Sequence, residues 1–230
     1  MSHEADNSSD IIPEQDEVVL IGNPAKEIVK EILRKNPKIH SLELCIHPLE
    51  DSIDIIGYRL DDDYQELELS REEILAFQGL EEFEHILGVL DDTEIDQEIM
   101  ERLGRDLDED WPHAAYVSVK SLVYAPEPRH IPMLDFNCRK TGENLQRILD
   151  TLRSNRERGF ILDSGHSFHF WGARLVPGNQ GAAFLSKYRD NKLVDQKYIE
   201  LSLSRGFTLL RITQNMARDE SIAPRLVAVV

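Results

Sequence analysis

The chain has 230 residues and a formal net charge of −17, with 41% hydrophobic and 30% charged residues. A chain of this length and composition buries a sizeable apolar core, which excludes a wholly disordered protein. Its average surface repels phosphate, which excludes tight non-specific binding to duplex nucleic acid, so any contact with nucleic acid has to be local and basic.

Residues 1–16 are acidic and polar, contain almost nothing to bury, and are predicted to form a flexible tail. They lack the basic segment and apolar run of a secretory signal, and no later stretch has the ~18 consecutive apolar residues of a membrane span. Two cysteines, Cys45 and Cys138, are too few for a disulfide framework. These features predict a cytoplasmic protein in a reducing compartment.

Residues 17–112 are predicted to form an N-terminal α+β accessory portion. Asn23 is expected to cap a helix with Pro24 at its first position, and apolar residues recur at helical spacing through about Lys35. Further on, the sequence SREE predicts a helix that starts with a capping box. Strands are predicted at residues 41–46, 53–60 and 64–69.

Residues 80–110 are strongly acidic and mostly helical in pattern. A solvated helical surface is the simpler interpretation, and the alternative is a surface that binds a partner protein.

Residues 113–230 are predicted to form a second portion in which strands and helices alternate. The apolar pattern predicts strands at residues 117–124, 132–138, 160–163, 168–176, 207–213 and 225–230, and helices at residues 142–157, 180–188 and 194–204. The predicted fold class is therefore α+β, with a mixed or antiparallel sheet covered by helices. No Walker-type phosphate loop is present in the sequence.

Three strand segments of this portion, MLDFNC, SGHSFHFWG and TLLRIT, carry polar residues among apolar ones. Strand side chains alternate between the two faces of a sheet, so each segment has one apolar and one polar face. If the three strands share a sheet, the polar residues converge on its open face; they are Asp135, Asn137, Ser167, His169 and Arg211. A carboxylate holds a divalent cation, while hydroxyl, imidazole and guanidinium groups suit phosphate oxygens, so the set predicts a site for a phosphorylated ligand.

Two other interpretations of these segments stay open. A half-exposed sheet face alternates polar and apolar residues without any function. Asp135, His166 and His169 could instead hold one transition metal, but their strand spacing directs the two histidines to opposite faces. Gly165 and Gly172 flank these histidines, and glycine within a strand marks a bulge or the close approach of a ligand.

The segments IPMLDFNC and FILDSGHSFHFWG resemble the first two motifs of the archaeo-eukaryotic primase superfamily. Asp135 matches the first acid of the D-x-D/E motif, and Ser167 with His169 matches the S-x-H motif. The resemblance covers roughly residues 115 to 215. It implies an RRM-like sheet, a nucleoside triphosphate bound through the histidine, Mg²⁺ or Mn²⁺ held by the acids, and single-stranded nucleic acid as a partner.

The chain departs from the family pattern at two positions. Asn137 stands where the second acid is expected, and the strand of the third motif offers Arg211 instead of an acid. Asp163 is displaced from the motif position, and Asp195 lies at a helix start, where capping is the simpler role. Arg211 in place of an acid favours phosphate binding without turnover.

Two hypotheses follow from the sequence. In the first, the chain is a primase-like protein of nucleic-acid metabolism that binds nucleotides or nucleic-acid ends, with Asp135 as metal ligand, Asp135 and His169 as catalytic residues, and nucleotidyl transfer as the implied activity. The substrate-binding residues are then Asn137, Ser167, His169 and Arg211. In the second, the module is catalytically degenerate and acts as a sensor or interaction partner through residues 80–110.

Overall fold

The computed structural model describes residues 21–48, 65–76, 114–213 and 223–230. The strands are β1 (Ser41–Pro48), β2 (Gln65–Ser70), β3 (Ala114–Tyr124), β4 (Arg129–His130), β5 (Met133–Asp135), β6 (Gly159–Asp163), β7 (Phe168–Gly172), β8 (Val176–Pro177), β9 (Leu209–Arg211) and β10 (Arg225–Val229). The helices are α1 (Ala25–Lys35), α2 (Arg71–Ala76), α3 (Gly142–Ser154), α4 (Gly181–Ser186) and α5 (Gln196–Arg205). The predicted tail, the predicted strand at residues 53–60 and the acidic region 80–110 lie outside the described residues.

Helix α1 forms because its apolar residues repeat at a spacing that buries one face. Ile28, Val29 and Ile32 are buried, and the helix ends at Lys35 as predicted. The predicted cap was one residue early, since Pro24 rather than Asn23 occupies the N-cap position, in extended conformation. Proline suits this position because its fixed φ agrees with an extended cap and its missing N–H would have no helical partner.

Within the described ranges, one sheet has six strands, and every strand pair in it is antiparallel. Its strand order is β2-β1-β3-β4-β8, and β9 also pairs with β3. Strand β1 precedes residue 112 and its neighbour β3 follows it, so the sheet joins strands from both portions that the sequence analysis separated. The division into a tail and two portions stays a prediction.

The second sheet has four antiparallel strands in the order β10-β6-β7-β5. One of its faces, with Leu134 and Phe170, packs against residues of α3, α4 and α5. The other face, with Met133, Leu162 and Trp171, packs into the core formed by α1 and the six-stranded sheet. Both faces of this sheet are therefore covered, and the α+β class is confirmed.

The predicted strand at residues 168–176 divides into β7 and β8 after Gly172. The Gly172 N–H donates to the Pro132 carbonyl at 2.7 Å, and a Cβ at Gly172 would lie 2.8 Å from the Pro132 ring. Gly172 thus permits the close approach of Pro132. Pro132, and not a ligand, occupies the space that a Cβ at Gly172 would take. No helix within the described residues is long and apolar enough to cross a membrane.

Candidate functional site

Strands β5 and β7 bring two distant parts of the sequence together. Asp135 lies directly opposite His169 in the antiparallel register of these strands. The distance between His169 Nε2 and Asp135 Oδ1 is 3.6 Å. Directly opposed residues share a face of the sheet, so Asp135 and His169 lie on the same side.

His169 is buried, with 7% of its surface exposed. Burial, and to a smaller extent the nearby Arg211 guanidinium, lowers the pKa of His169 to about 3, so the imidazole is neutral at pH 7 despite the carboxylate of Asp135. Its Nδ1 atom is buried and has no hydrogen-bond partner among the residues that the structure describes. The expectation of an open face is wrong here, because Leu162 and Trp171 on the same side belong to the core.

Ser167 lies in the tight turn between β6 and β7. The Ser164 N–H donates to the Ser167 carbonyl at 3.0 Å. Gly165 has a φ of 103°, a backbone conformation that is strained for residues with a side chain. The Ser167 hydroxyl accepts a hydrogen bond from the Cys138 N–H at 3.2 Å, so the turn is tied to the segment that follows β5. Burial raises the pKa of the Cys138 thiol, and the contact with Ser167 opposes that shift.

Arg211 reaches the same turn from the other sheet. The expectation that its strand shares a sheet with Asp135 and His169 is wrong, because β9 pairs with β3 in the six-stranded sheet. Strand β9 nevertheless lies against β5. The buried Arg211 guanidinium donates to the Ser164 carbonyl at 2.5 Å and to the Thr213 carbonyl, which fixes a positive charge beside the β6–β7 turn.

The remaining polar candidates lie apart from this group. Asn137 is exposed beyond the end of β5, where its backbone N–H donates to the Leu193 carbonyl at 2.8 Å. Asp163 lies opposite Phe168, whose side chain packs in the helix-covered core, so Asp163 occupies the face away from His169. Its carboxylate accepts hydrogen bonds from Lys140 Nζ at 3.0 Å and from the Gly165 N–H at 2.8 Å.

Asp195 is the N-cap of α5, as predicted. Its carboxylate accepts hydrogen bonds from the backbone N–H groups of Lys197 at 2.9 Å and Tyr198 at 3.2 Å. His166 is exposed in the β6–β7 turn, whereas His169 is buried, so the two histidines do not share an environment. Within the described ranges, no group of three or more His, Cys, Asp and Glu side chains could hold a metal ion.

The sequence analysis missed Tyr198, whose hydroxyl is buried near Asp135. Burial raises the pKa of Tyr198 well above its usual range, the negative charge of Asp135 adds to the shift, and the Thr208 hydroxyl opposes it. The Asp195 N–H also donates to the Asp135 carbonyl oxygen at 2.9 Å, so the start of α5 is bound directly to β5. The spacing of residues in the sequence did not indicate Tyr198 as a site residue, because an apolar core residue would fit the same helix position equally well.

Comparison with protein families matches residues 96–223 to the AEP-like family, described as archaeo-eukaryotic primase 1D-like. The matched range covers more than half of the chain and includes Asp135, Ser167, His169 and Arg211. No curated protein and no solved structure matches the chain.

Proposed function

The chain belongs to the archaeo-eukaryotic primase 1D-like family, and from this premise we propose that it binds a nucleoside triphosphate or a single-stranded nucleic-acid end beside the β6–β7 turn. The observation that carries the proposal is the opposition of Asp135 and His169 across β5 and β7, with Ser167 in the adjoining turn. These are the residues that match the first two primase motifs. They meet in space although a helix and a further strand separate them along the chain.

Local positive charge supports an anionic ligand at this place. The guanidinium of Arg211 is held at the turn by two backbone carbonyls. Arg147 on α3 is near enough to the end of β5 to lower the pKa of the Cys138 thiol, whereas the charge of Lys140 is compensated by the Asp163 carboxylate. A protein with a net charge of −17 attracts phosphate only where such groups cluster, so this end of the sheet is the favoured site.

His169 contributes to binding as a neutral hydrogen-bonding group, not as a charge. A buried polar atom without a partner costs about 1 to 3 kcal/mol. Because Nδ1 of His169 is buried, a hydrogen bond to it requires a small shift of the turn when the ligand binds, and that bond would recover part of the cost.

The residues at the site do not fit a centre with two metal ions. In the part of the chain that the structure describes, Asp135 is the candidate carboxylate on this face, while Asp163 faces away and Asp195 caps a helix. A Mg²⁺ or Mn²⁺ ion bound to the triphosphate would gain one carboxylate ligand from Asp135. This donor set favours nucleotide binding over nucleotidyl transfer, and hence the role of a nucleotide sensor within the family.

Calorimetric titration with ATP in the presence of Mg²⁺ or Mn²⁺ tests the proposal. We expect saturable binding by the wild type, and binding at least about fivefold weaker by Asp135→Asn, because loss of a charge-assisted contact costs about 1 kcal/mol or more. Asp150→Asn is the matched control, since it neutralises an exposed carboxylate on α3, the helix that packs on the opposite face of the sheet. It is expected to bind ATP like the wild type.

Absence of binding with either metal would overturn the proposal, as would equal weakening by the two substitutions. A primer-extension assay on the same samples separates binding from transfer. Extension by the wild type that is lost in Asp135→Asn would show that nucleotidyl transfer is retained, and would replace the sensor role with that of a polymerase.

A further inference from the structure

A cavity of about 230 Å³ lies at the start of β5, whereas the β6–β7 turn of the candidate site lies beyond the other end of this strand. It is bounded by the paired strands β4 and β8, by the helices α4 and α5, and by the segment leading into β5. Its walls are mainly apolar and include Ile131, Met133, Phe184, Leu185 and Phe207. It shares no lining residue with the proposed nucleotide site.

No charged side chain lines this cavity among the residues that the structure describes. Its polar side chains are the hydroxyls of Ser121, Ser202 and Thr208, the imidazole of His130 and the amide of the exposed Asn179. Burial lowers the pKa of His130, so this imidazole is also uncharged at neutral pH. A charged group placed between these walls would lose hydration and gain no counter-charge, which disfavours phosphates and carboxylates.

The polar wall of the cavity is held in a fixed arrangement. The Ser121 hydroxyl accepts a hydrogen bond from the Thr208 N–H at 2.9 Å and lies 3.2 Å from Nδ1 of His130. Gly181 packs directly against the imidazole, since a Cβ at this position would lie 2.8 Å from Cδ2 of His130. The His130 imidazole is thus held between the Ser121 hydroxyl and Gly181. Contacts within the protein therefore fix this part of the cavity wall.

The volume indicates the size of the occupant. An apolar cavity of about 150 Å³ accommodates benzene, so about 230 Å³ suits a ring system with one ring more. We propose that this cavity binds a small, uncharged bicyclic heteroaromatic molecule of the size of indole or purine. Its rings lie against Phe184 and Met133, and its polar edge faces the hydroxyls of Ser121 and Ser202.

Nuclear magnetic resonance of the full chain with ¹³C-labelled isoleucine and methionine methyl groups tests this proposal with indole as the probe. Ile131 and Met133 both line the cavity, so their methyl signals report on its interior. We expect indole to shift both signals saturably in the wild type. Indole-3-carboxylate has the same rings and a negative charge, and it is expected to bind at least tenfold more weakly.

Two substitutions on α4 provide the matched comparison. Ala182 and Ala183 are both exposed, but only Ala182 lines the cavity. Ala182→Leu places a larger side chain across the opening and is expected to weaken indole binding at least tenfold, whereas Ala183→Leu leaves it unchanged. Asp135→Asn is also expected to leave it unchanged, so that failure of this proposal and failure of the nucleotide site can be told apart.

Several results would overturn the proposal. One is the absence of a saturable shift at Met133 and Ile131 with indole, which would leave the cavity as a hydrated space. Another is equal binding of the carboxylate analogue. A third is equal binding by Ala182→Leu and wild type, which would place the probe elsewhere on the surface.

Discussion

Two buried histidines, His130 and His169, lie in opposite surroundings. Burial lowers the pKa of both, so both are neutral at pH 7. Nδ1 of His130 lies beside the Ser121 hydroxyl in a cavity that no described charged side chain lines. His169 has the Asp135 carboxylate and the Arg211 guanidinium nearby, and its Nδ1 has no hydrogen-bond partner within the described ranges.

This difference separates a structural histidine from a candidate ligand-binding one. A buried polar group is stable where its hydrogen bonds are made, and His130 fulfils that condition. At His169 the chain keeps an incompletely bonded imidazole next to two ionisable side chains, an arrangement that costs stability. We therefore propose a phosphorylated ligand for the charged surroundings of His169 and a neutral one for the uncharged surroundings of His130.

The largest expected effect concerns Arg211, whose guanidinium is the positive charge near His169. Arg211→Met removes charge-assisted hydrogen bonds to the Ser164 and Thr213 carbonyls and is expected to lower the free energy of unfolding by about 3 kcal/mol. Arg225→Met is the control. Arg225 is exposed and donates to the Gly22 carbonyl at 3.0 Å, so its loss is expected to cost about 0.5 kcal/mol or less.

Chemical denaturation of both variants measures these costs. A change below about 1 kcal/mol in Arg211→Met would show that the buried guanidinium contributes little to the fold, contrary to the cost expected for removing a buried charged donor. The charged groups around His169 would then contribute little to the free energy of unfolding. The different surroundings of His169 and His130 would no longer imply a difference in stability.

The second prediction concerns the acid side of the stability profile. The pKa of His169 is about 3 in the folded protein and about 6.5 in the unfolded chain, so its contribution is fully present above pH 6.5 and is lost as the pH falls towards 3. At pH 5 the loss from this residue amounts to about 2 kcal/mol. His169→Gln cannot be protonated and is therefore expected to lose about 2 kcal/mol less than the wild type between pH 8 and pH 5.

Unfolding by urea at pH 8, 6.5 and 5 measures this difference. Parallel pH profiles for the wild type and His169→Gln would contradict the prediction, because they would mean that His169 accepts a proton equally well in the folded and unfolded chains. Its imidazole would then be accessible to water, like an ordinary surface group.

Much of the fold was predictable because local patterns agree with tertiary packing. Helix α1 ends where its apolar spacing ends, and Asp195 caps α5 as its position before the apolar run indicated. Strand alternation also predicted that Phe168 and Phe170 lie on the face opposite His169 and Trp171. These features depend on neighbours in sequence, which is why the sequence alone was sufficient.

Other features depend on which strands become neighbours, and alternation carries no information on that. Arg211 was expected on the sheet of His169, yet β9 pairs with β3 and only the long side chain reaches the β6–β7 turn. The face of His169 was expected to be open, yet α1 and the six-stranded sheet cover it. The proximity of Tyr198 to the charge of Asp135 likewise follows from how the first turn of α5 packs on β5.

The smallest expected effects concern two serines. Ser121→Ala leaves the Thr208 N–H and Nδ1 of His130 without their partner and is expected to cost about 1.5 kcal/mol of stability with no change in ATP binding. Ser167→Ala removes one acceptor from a half-buried turn and is expected to cost about 0.5 kcal/mol.

For ATP binding we expect the opposite order, with the larger effect from Ser167→Ala, because Ser167 lies in the turn to which we assign the phosphates. Ser167→Ala should weaken ATP binding severalfold, as measured by calorimetry on the same samples that are used for denaturation. If Ser121→Ala weakened ATP binding as much as Ser167→Ala, the two buried histidines would belong to one coupled site. A large loss of stability in Ser167→Ala, together with unchanged ATP binding, would make the S-x-H motif of this chain a structural turn. The search for the nucleotide site would then move away from β7.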